Sequence, residues 1–255
     1  MNFDSRWEPM LPEAYELNYH FEETHWWFLA RREILLSAIQ SLIETRRLPP
    51  PPLQILDYGC GTGSLTRSLA AFGDVTGVDL YPEAVAFCRK RGLENVRQID
   101  SPQDLPDSTY DLVGCFDVLE HVEDDLALLR ELGRILKPGG VWVLTVPALS
   151  CLWSGEDVVS QHKRRYTRRE LRRKAMDAGL RIQRITYFNT LLFPAIFGIR
   201  FFDRWFRPRR SRCSDVYETR EPFNAILRTC FASEKHLLKH FSLPIGVSLL
   251  LIAEK

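Results

Sequence analysis

No stretch of this 255-residue chain is apolar for the roughly 20 residues that a bilayer-crossing helix needs. The N-terminus, Met1-Asn-Phe-Asp-Ser-Arg-Trp-Glu, lacks the hydrophobic core of a secretory signal. Six cysteines (60, 88, 115, 151, 213 and 230) form no CxxC pair and no metal-ligand spacing, so no metal is expected and they read as reduced thiols of a cytoplasmic protein. Net charge is only +1, which removes any global polyelectrolyte signal. There is no internal repeat, and no Gly-Lys-Ser/Thr, which excludes a nucleoside-triphosphate P-loop. What remains is a chain 45% hydrophobic, ample for a core, and of a length that suits one α/β domain with embellishments.

The organising stretch is Ile55-Leu56-Asp57-Tyr58-Gly59-Cys60-Gly61-Thr62-Gly63. A short apolar run ends in an acid and is followed by three glycines at alternate positions; Ser64 onward reads as a helix. Strand, glycine turn and helix start present bare backbone N–H groups to a ligand. The spacing G-x-G-x-G differs from the dinucleotide G-x-G-x-x-G. Further strands are expected at 74–79, 95–100, 110–117, 141–147, 181–187 and 247–253, with helices opening at Pro82, at Asp124-Asp125 (running to Lys137) and at Thr167, whose partner Glu170 completes a capping box.

Together, the glycine stretch, Asp111-Leu-Val, Leu119-Glu120-His121-Val122 and Leu136-Lys-Pro-Gly-Gly resemble, in order from about residue 53 to 147, the class I S-adenosylmethionine-dependent methyltransferases of the small-molecule type. The resemblance implies a Rossmann-like, doubly wound seven-stranded α/β sheet, mostly parallel with an antiparallel last strand and helices on both faces. It implies S-adenosylmethionine as cofactor, held by Asp57, Gly59, Cys60, Gly61, Gly63, Asp79, Leu80, Asp100, Ser101 and Phe116. Asp79 would accept from ribose hydroxyls, Leu80 or Tyr81 would lie against the adenine, and an acid near Asp100 would hold its amino group; a loop acid and a simple turn are the plainer readings.

Methyl transfer from a sulfonium needs no protein nucleophile, but a hydroxyl acceptor benefits from a base, and histidine suits neutral pH. His162 lies in the loop after the fifth strand, similar in placement to a His-containing loop of the ubiquinone-pathway O-methyltransferases; His121 follows the fourth strand. These two are the catalytic candidates. His25, Trp26, Arg31, Arg165 and Tyr166 are the acceptor-side candidates. His25-Trp26-Trp27 either anchors an N-terminal helix or belongs to a lid in which Arg31 or Arg32 meets a carboxylate.

Three regions are expected: a helical lid at 1–50, a methyltransferase core at 51–187 and 244–255, and a hydrophobic, basic insertion at 188–243 capping the substrate. Eight bases crowd 163–174 and six arginines crowd 200–212. Such clusters are either solvated faces or sites for phosphate, and beside Leu, Phe and Trp they fit an anionic membrane surface or a phosphorylated, lipid-linked acceptor. No nucleic-acid module is visible, so nucleic acid is not expected as a partner. Pro194 and Gly198 interrupt the apolar stretch from Leu191. The expected function is methylation, at oxygen, of a small or lipid-linked molecule by a cytoplasmic enzyme that can sit peripherally on a membrane. The rivals are a non-catalytic protein that keeps fold and cofactor, and a nicotinamide oxidoreductase, against which the glycine spacing argues.

Overall fold

The computed structural model describes residues 12–206 and 218–255. Phe3, Trp7, Arg207, Arg209, Arg210 and Arg212, which the sequence singles out, lie outside the described residues, as do the side chains of 12–14 and 204–206.

Seven strands, β1 (Leu53–Tyr58), β2 (Gly73–Asp79), β3 (Val96–Gln98), β4 (Tyr110–Phe116), β5 (Leu136–Pro147), β6 (Arg181–Phe188) and β7 (Ser248–Glu254), form one sheet in the order β3-β2-β1-β4-β5-β7-β6. The pairs among β1 to β5 are parallel, and β7 runs antiparallel to both β5 and β6. Central strands such as β1 and β4 are apolar almost throughout because helices cover both faces. The fold class expected from the sequence is the one found.

The described helices are α1 (Pro12–Thr24), α2 (Trp26–Glu44), α3 (Ser64–Leu69), α4 (Pro82–Lys90), α5 (Asp125–Ile135), α6 (Gly155–Val159), α7 (Arg168–Asp177), α8 (Phe193–Phe206), α9 (Phe223–Ala232) and α10 (Glu234–His240). One face of the sheet buries Ile34, Leu35 and Ile39 of α2 with Phe231 of α9 and Leu238 of α10. The other buries Leu128, Leu129 and Leu132 of α5 with Leu171 and Ala175 of α7. Each helix that packs here has its apolar positions three or four residues apart, the period of a helix face.

Two local expectations are corrected. The helix opening at Asp125 ends at Ile135, and Pro138-Gly139-Gly140 lies within β5, because Leu136 already pairs with Tyr110 before a register shift brings Val141 opposite Leu112. Pro194 and Gly198 do not interrupt α8: Pro194 occupies its first turn, where no N–H is required, and Gly198 is carried inside the helix. The Thr167–Glu170 capping box forms as expected.

Strand order reverses between β1 and β4, and the crevice outside their carboxyl ends is where such sheets bind ligands. The loops after β1, β2, β4 and β5 all open there, and α1, α2 and α8 close over it.

Candidate functional site

A single cavity of about 920 Å³ occupies this crevice. At one end lies the glycine loop. Gly59, Gly61 and Gly63 all have positive φ (74°, 54° and 87°), conformations that side chains resist. A Cβ on Gly59 would stand 2.4 Å from Val118 Cγ2, whereas one on Gly61 would meet nothing within 4 Å. The loop is pinned from below: the N–H groups of Gly59 and Cys60 donate to the Val78 carbonyl at 2.8 and 3.0 Å.

Asp79, at the end of β2, ties this end together. One carboxylate oxygen accepts from Gly61 N–H at 2.9 Å, the other from Tyr81 N–H at 3.1 Å. Burial raises its pKa, and those backbone N–H bonds, with that of Leu80, oppose the rise. Three N–H donors on a carboxylate with about four acceptor sites leave it room to accept from a ligand hydroxyl. Asp57 behaves similarly: burial pushes its pKa up to about 6 although Thr66 Oγ1 donates to it at 2.6 Å.

The wall over this loop comes from α1, through a residue the motifs do not flag. Arg91, its side chain 4% exposed, pairs with Glu22 and Glu23 at 2.9 Å each, donates to the Thr62 carbonyl at 2.6 Å and lies 4.1 Å from the centre of the Tyr19 ring. Thr62 Oγ1 also donates to Glu22. Arg32 donates to Ser64 Oγ at 2.6 Å, and Ser64 Oγ donates to Glu23 at 2.7 Å. Glu22 itself lines the cavity.

Arg31, from α2, reaches the floor between β4 and β5. It pairs with Asp117 at 2.6 Å and donates to Thr145 Oγ1 at 3.0 Å, and Thr145 donates in turn to Asp117 at 3.0 Å. The carboxylate it meets is therefore the protein's own, while its buried Nε has no partner among the described residues. His25 caps α2, its Nδ1 accepting from Trp27 N–H at 3.3 Å, which favours the anchoring role; its ring still borders the cavity.

The far end is different in character. His162 Nδ1 stands 2.8 Å from Asp157 Oδ1, and its Nε2 stands 3.9 Å from Glu120 Oε1. Asp157 is buried, accepts from Arg165 Nε at 2.7 Å and from Ser154 N–H at 2.8 Å, and caps α6. Burial would raise its pKa, but the bonds from His162 and Arg165 hold it well below the usual carboxylate range. Arg165 is thus positioned as the counter-ion of Asp157 at the cavity wall. Glu120 is fully buried, neither of its oxygens has a partner among the described residues, and burial followed by the nearby Asp117 charge raises its pKa well above the ordinary value. The His121 ring packs edge-on to His162 at 4.8 Å, and burial, followed by the His162 and Lys163 charges, lowers its pKa to about 3. Glu120, His121 and His162 each offer one ligand atom within 4.8 Å of the others, a carboxylate-and-imidazole set of the kind divalent cations take. No local spacing marks this set in the sequence, because His162 lies far along the chain from the Glu120-His121 pair.

The cavity wall includes Asp57, Gly59, Cys60, Gly61, Asp79, Leu80, Phe116, His25, Trp26, Arg31, Arg165, His121 and His162. Four expected site residues stand outside it. Gly63 is the left-handed cap of α3, packed where a Cβ would meet Leu93 and Cys88. Ser101 caps a short turn, its hydroxyl accepting from Gln103 N–H, and Asp100 is exposed; Asp104 takes the backbone N–H of both. Ile99 is the residue of that loop in the wall. Tyr166 is buried behind the site, its hydroxyl 2.8 Å from Asp125 Oδ2 and 3.1 Å from the Leu119 carbonyl. Of the basic run at 163–174, Lys163, Arg164, Arg165 and Lys174 are paired with Glu123, Asp125 and Asp157, so half of that run neutralises local acids.

A glycine cradle at the β1/β4 switch point, an acid at the end of β2 and an antiparallel β7 between β5 and β6 define a class I methyltransferase-like fold. The chain belongs to the methyltransferase-domain family, whose model matches residues 28–185. Its curated relatives include the ubiquinone biosynthesis O-methyltransferase of Xanthomonas campestris pv. campestris, 33% identical over 153 residues that cover 52% of this chain and 64% of that one. That of Xanthomonas oryzae pv. oryzae is 43% identical over 102 residues, 37% of this chain and 43% of the relative. These matches span less than two thirds of the relatives' own length. Among solved structures, a SAM-dependent methyltransferase of Thermotoga maritima covers 97% of this chain and 100% of its own, at TM-score 0.57 and 19% identity. One from Archaeoglobus fulgidus covers 88% and 94%, at TM-score 0.54 and 20% identity. At such identities the likeness establishes the fold. Among the described residues no helix is long and apolar enough to cross a membrane.

Proposed function

We propose that the chain transfers a methyl group from S-adenosylmethionine to an oxygen of a small or lipid-linked acceptor, with His162 as base. One observation carries this reading: a continuous cavity joins a bare glycine cradle to an imidazole whose Nδ1 is held by a buried carboxylate. The cradle fits the cofactor, since Gly61 opens onto free space in the cavity wall and Asp79 keeps room for a ribose hydroxyl. When bound, the cofactor supplies an electrophilic methyl group on a sulfonium. Gly59, Cys60, Gly61, Asp79 and Leu80 would bind and orient it, and Arg31 Nε is a donor for its carboxylate end.

Asp157 accepts from Nδ1–H of His162, which leaves Nε2 with a lone pair directed at the cavity. Nε2 takes the acceptor's hydroxyl proton as its oxygen gains the methyl group, and Asp157 stabilises the imidazolium that results. His121, kept neutral by burial, limits the space beside His162 rather than sharing its proton.

The names of the curated relatives, O-methyltransferases of ubiquinone biosynthesis, support oxygen as the methylated atom and a lipid-linked acceptor, for which a phenol with an apolar tail serves as probe. The cavity is bordered by Ile196 and Ile199 of α8, and Ile199, Phe201 and Phe202 are exposed on that helix, which supports a tail and a peripheral contact with an anionic membrane. Arg200 lines the cavity and donates to the Leu152 carbonyl at 2.8 Å; the other arginines of the 200–212 cluster lie outside the described side chains and enter this reading from the sequence alone, as candidates for phosphate on lipid or on the acceptor. The test is transfer of a labelled methyl group from S-adenosylmethionine to 4-hexylresorcinol, with the product analysed by mass spectrometry. A methyl ether is expected. Binding of the cofactor with no ether formed from any phenolic acceptor overturns the oxygen assignment. Equal recovery of protein in the supernatant with anionic and neutral vesicles at low salt overturns the membrane contact.

A further inference from the structure

One buried group in the cavity wall is used by none of these steps. Asn189 follows β6, is 0% exposed, and lines the cavity beside Pro147, Val247, Ser248 and Ile196. Neither its Nδ2 nor its Oδ1 has a hydrogen-bond partner among the described residues. Its φ is 56°, a left-handed conformation in which asparagine is enriched, so the plain explanation is a turn residue.

That explanation covers the backbone but not the side chain. The loop is already fixed without the amide: Glu234 is buried in α10 and accepts from the backbone N–H groups of Thr190 and Leu191 at 2.7 Å each, and from that of Asn189. Val247 N–H donates to the Asn189 carbonyl from the other side. Glycine would adopt this φ without leaving an amide unsatisfied in a buried wall. Buried polar groups in folded proteins are hydrogen-bonded, and exceptions concentrate where a ligand completes them.

We propose that Asn189 is an acceptor-recognition residue, whose amide takes a second polar group of the acceptor, away from the methylated oxygen. This rests on the acceptor reading above. An amide offers donors on Nδ2 and an acceptor on Oδ1. A carboxylate or phosphate would satisfy Nδ2 and set its lone pairs against Oδ1. A neutral group that both donates and accepts, a hydroxyl or an amide, satisfies both atoms. Asn189 therefore selects a second hydroxyl or amide on the acceptor and rejects an anion at that position. Sites of this kind discriminate strongly against analogues lacking the partner, because the buried group is then left unpaired.

The test uses the full chain saturated with S-adenosylhomocysteine and three probes of matched tail: 4-hexylresorcinol, 4-hexylphenol and 4-hexylbenzoate. Calorimetry should show the resorcinol binding at least about tenfold more tightly than either of the others. Asn189→Gly, which suits the φ, should bring the resorcinol and phenol within about twofold while leaving S-adenosylhomocysteine affinity unchanged. In the native chain, the Asn189 side-chain amide resonances, assigned by triple-resonance spectra, should shift on adding the resorcinol but not the phenol, a readout that does not depend on the variant's folding. A preference kept by Asn189→Gly, tighter binding of the benzoate, or unmoved amide resonances overturns the proposal. Loss of methyl transfer with the binding preference intact would instead count against the transferase reading alone.

Discussion

The two ends of the cavity treat their polar groups in opposite ways. At the glycine loop the carboxylates are answered from within: Asp79 by backbone N–H groups, Glu22 and Glu23 by Arg91, and Asp57 by Thr66. At the histidine end, Glu120 and Asn189 are buried with no partner among the described residues, and only Asp157 is saturated. A buried unsatisfied group costs on the order of 1–3 kcal/mol, so folding alone gives no reason to keep several together. The first end is a finished cradle for a ligand that needs shape; the second is held unfinished for a ligand that must bring polar atoms.

The comparison is broken most severely at His162. His162→Ala should lower kcat by roughly 10²–10⁴ while S-adenosylmethionine affinity stays nearly constant. Its positioning partner is tested by Asp157→Asn, which keeps the shape and one acceptor oxygen but not the charge; it should lower kcat with little change in KM, and lower stability as well because the buried Arg165 loses its counter-ion. Unchanged turnover in His162→Ala would return that residue to structure.

The converse break, at the finished end, is Arg91→Ala. Removing the cation leaves Glu22 against the glycine loop with only the Thr62 hydroxyl, while Glu23 keeps Arg67 and Ser64, so the loss is about 3 kcal/mol, the low end for a buried pair that loses one member. The melting temperature should fall and the cofactor should dissociate faster, with acceptor-side kinetics little changed at saturating cofactor. A normal dissociation rate in stopped flow would mean that α1 does not hold the cofactor in.

Asp57 sharpens the same contrast through pH. Its folded-state pKa is raised from 3.8 to about 6. Below the lower value both states are protonated and it costs nothing. As pH rises through that window the unfolded chain ionises first, so stability falls with rising pH, by about 3 kcal/mol at roughly 1.4 kcal/mol per unit. Asp57→Asn keeps an oxygen for Thr66 and should remove this slope. Urea unfolding at pH 4, 5, 6 and 7 reads it as the difference between variant and native chain; a flat difference would place the Asp57 carboxylate in a better solvated setting than its burial implies.

How much of this was legible in the sequence follows the same division. The sheet and the cofactor end are written locally: strands of the core end in a turn or acid a few residues away, so Ile55–Gly63 and Asp79 announce themselves, whereas Leu136–Gly140 reads as a helix end and lies within β5. The histidine end is assembled from Glu120, Asp157, His162 and Asn189, which come from three separate connections: after β4, between β5 and α7, and after β6. Asp157 looks like an ordinary acid beside Glu156, and nothing in Phe188-Asn189-Thr190 distinguishes a wall residue from a turn. Arg91 sits in a basic run, Arg89-Lys90-Arg91, that reads as a solvated helix end, and only tertiary packing selects one of its three charges for burial. Tyr166, Asp100 and Ser101 stand outside the cavity wall for the complementary reason: each is near the site in sequence, but Asp125 claims the Tyr166 hydroxyl and Asp104 claims the backbone of the other two.

The smallest expected effect runs in the favourable direction for stability. Glu120 is buried with two unpaired oxygens, and burial holds its carboxyl well above the ordinary pKa. Methionine has a similar length and no polar atom to satisfy, so Glu120→Met should stabilise the chain by about 1–3 kcal/mol near neutral pH, a few degrees in melting temperature for a chain of this size. Turnover should fall in the same variant, because a group kept at the expense of stability belongs to function rather than to the fold. The two readouts must move in opposite directions. If Glu120→Met melts lower, the carboxyl has a structural partner and the histidine end is less unfinished than its geometry indicates. If it melts higher with turnover intact, Glu120 is a tolerated defect, and recognition at that end rests on His162 and Asn189 alone.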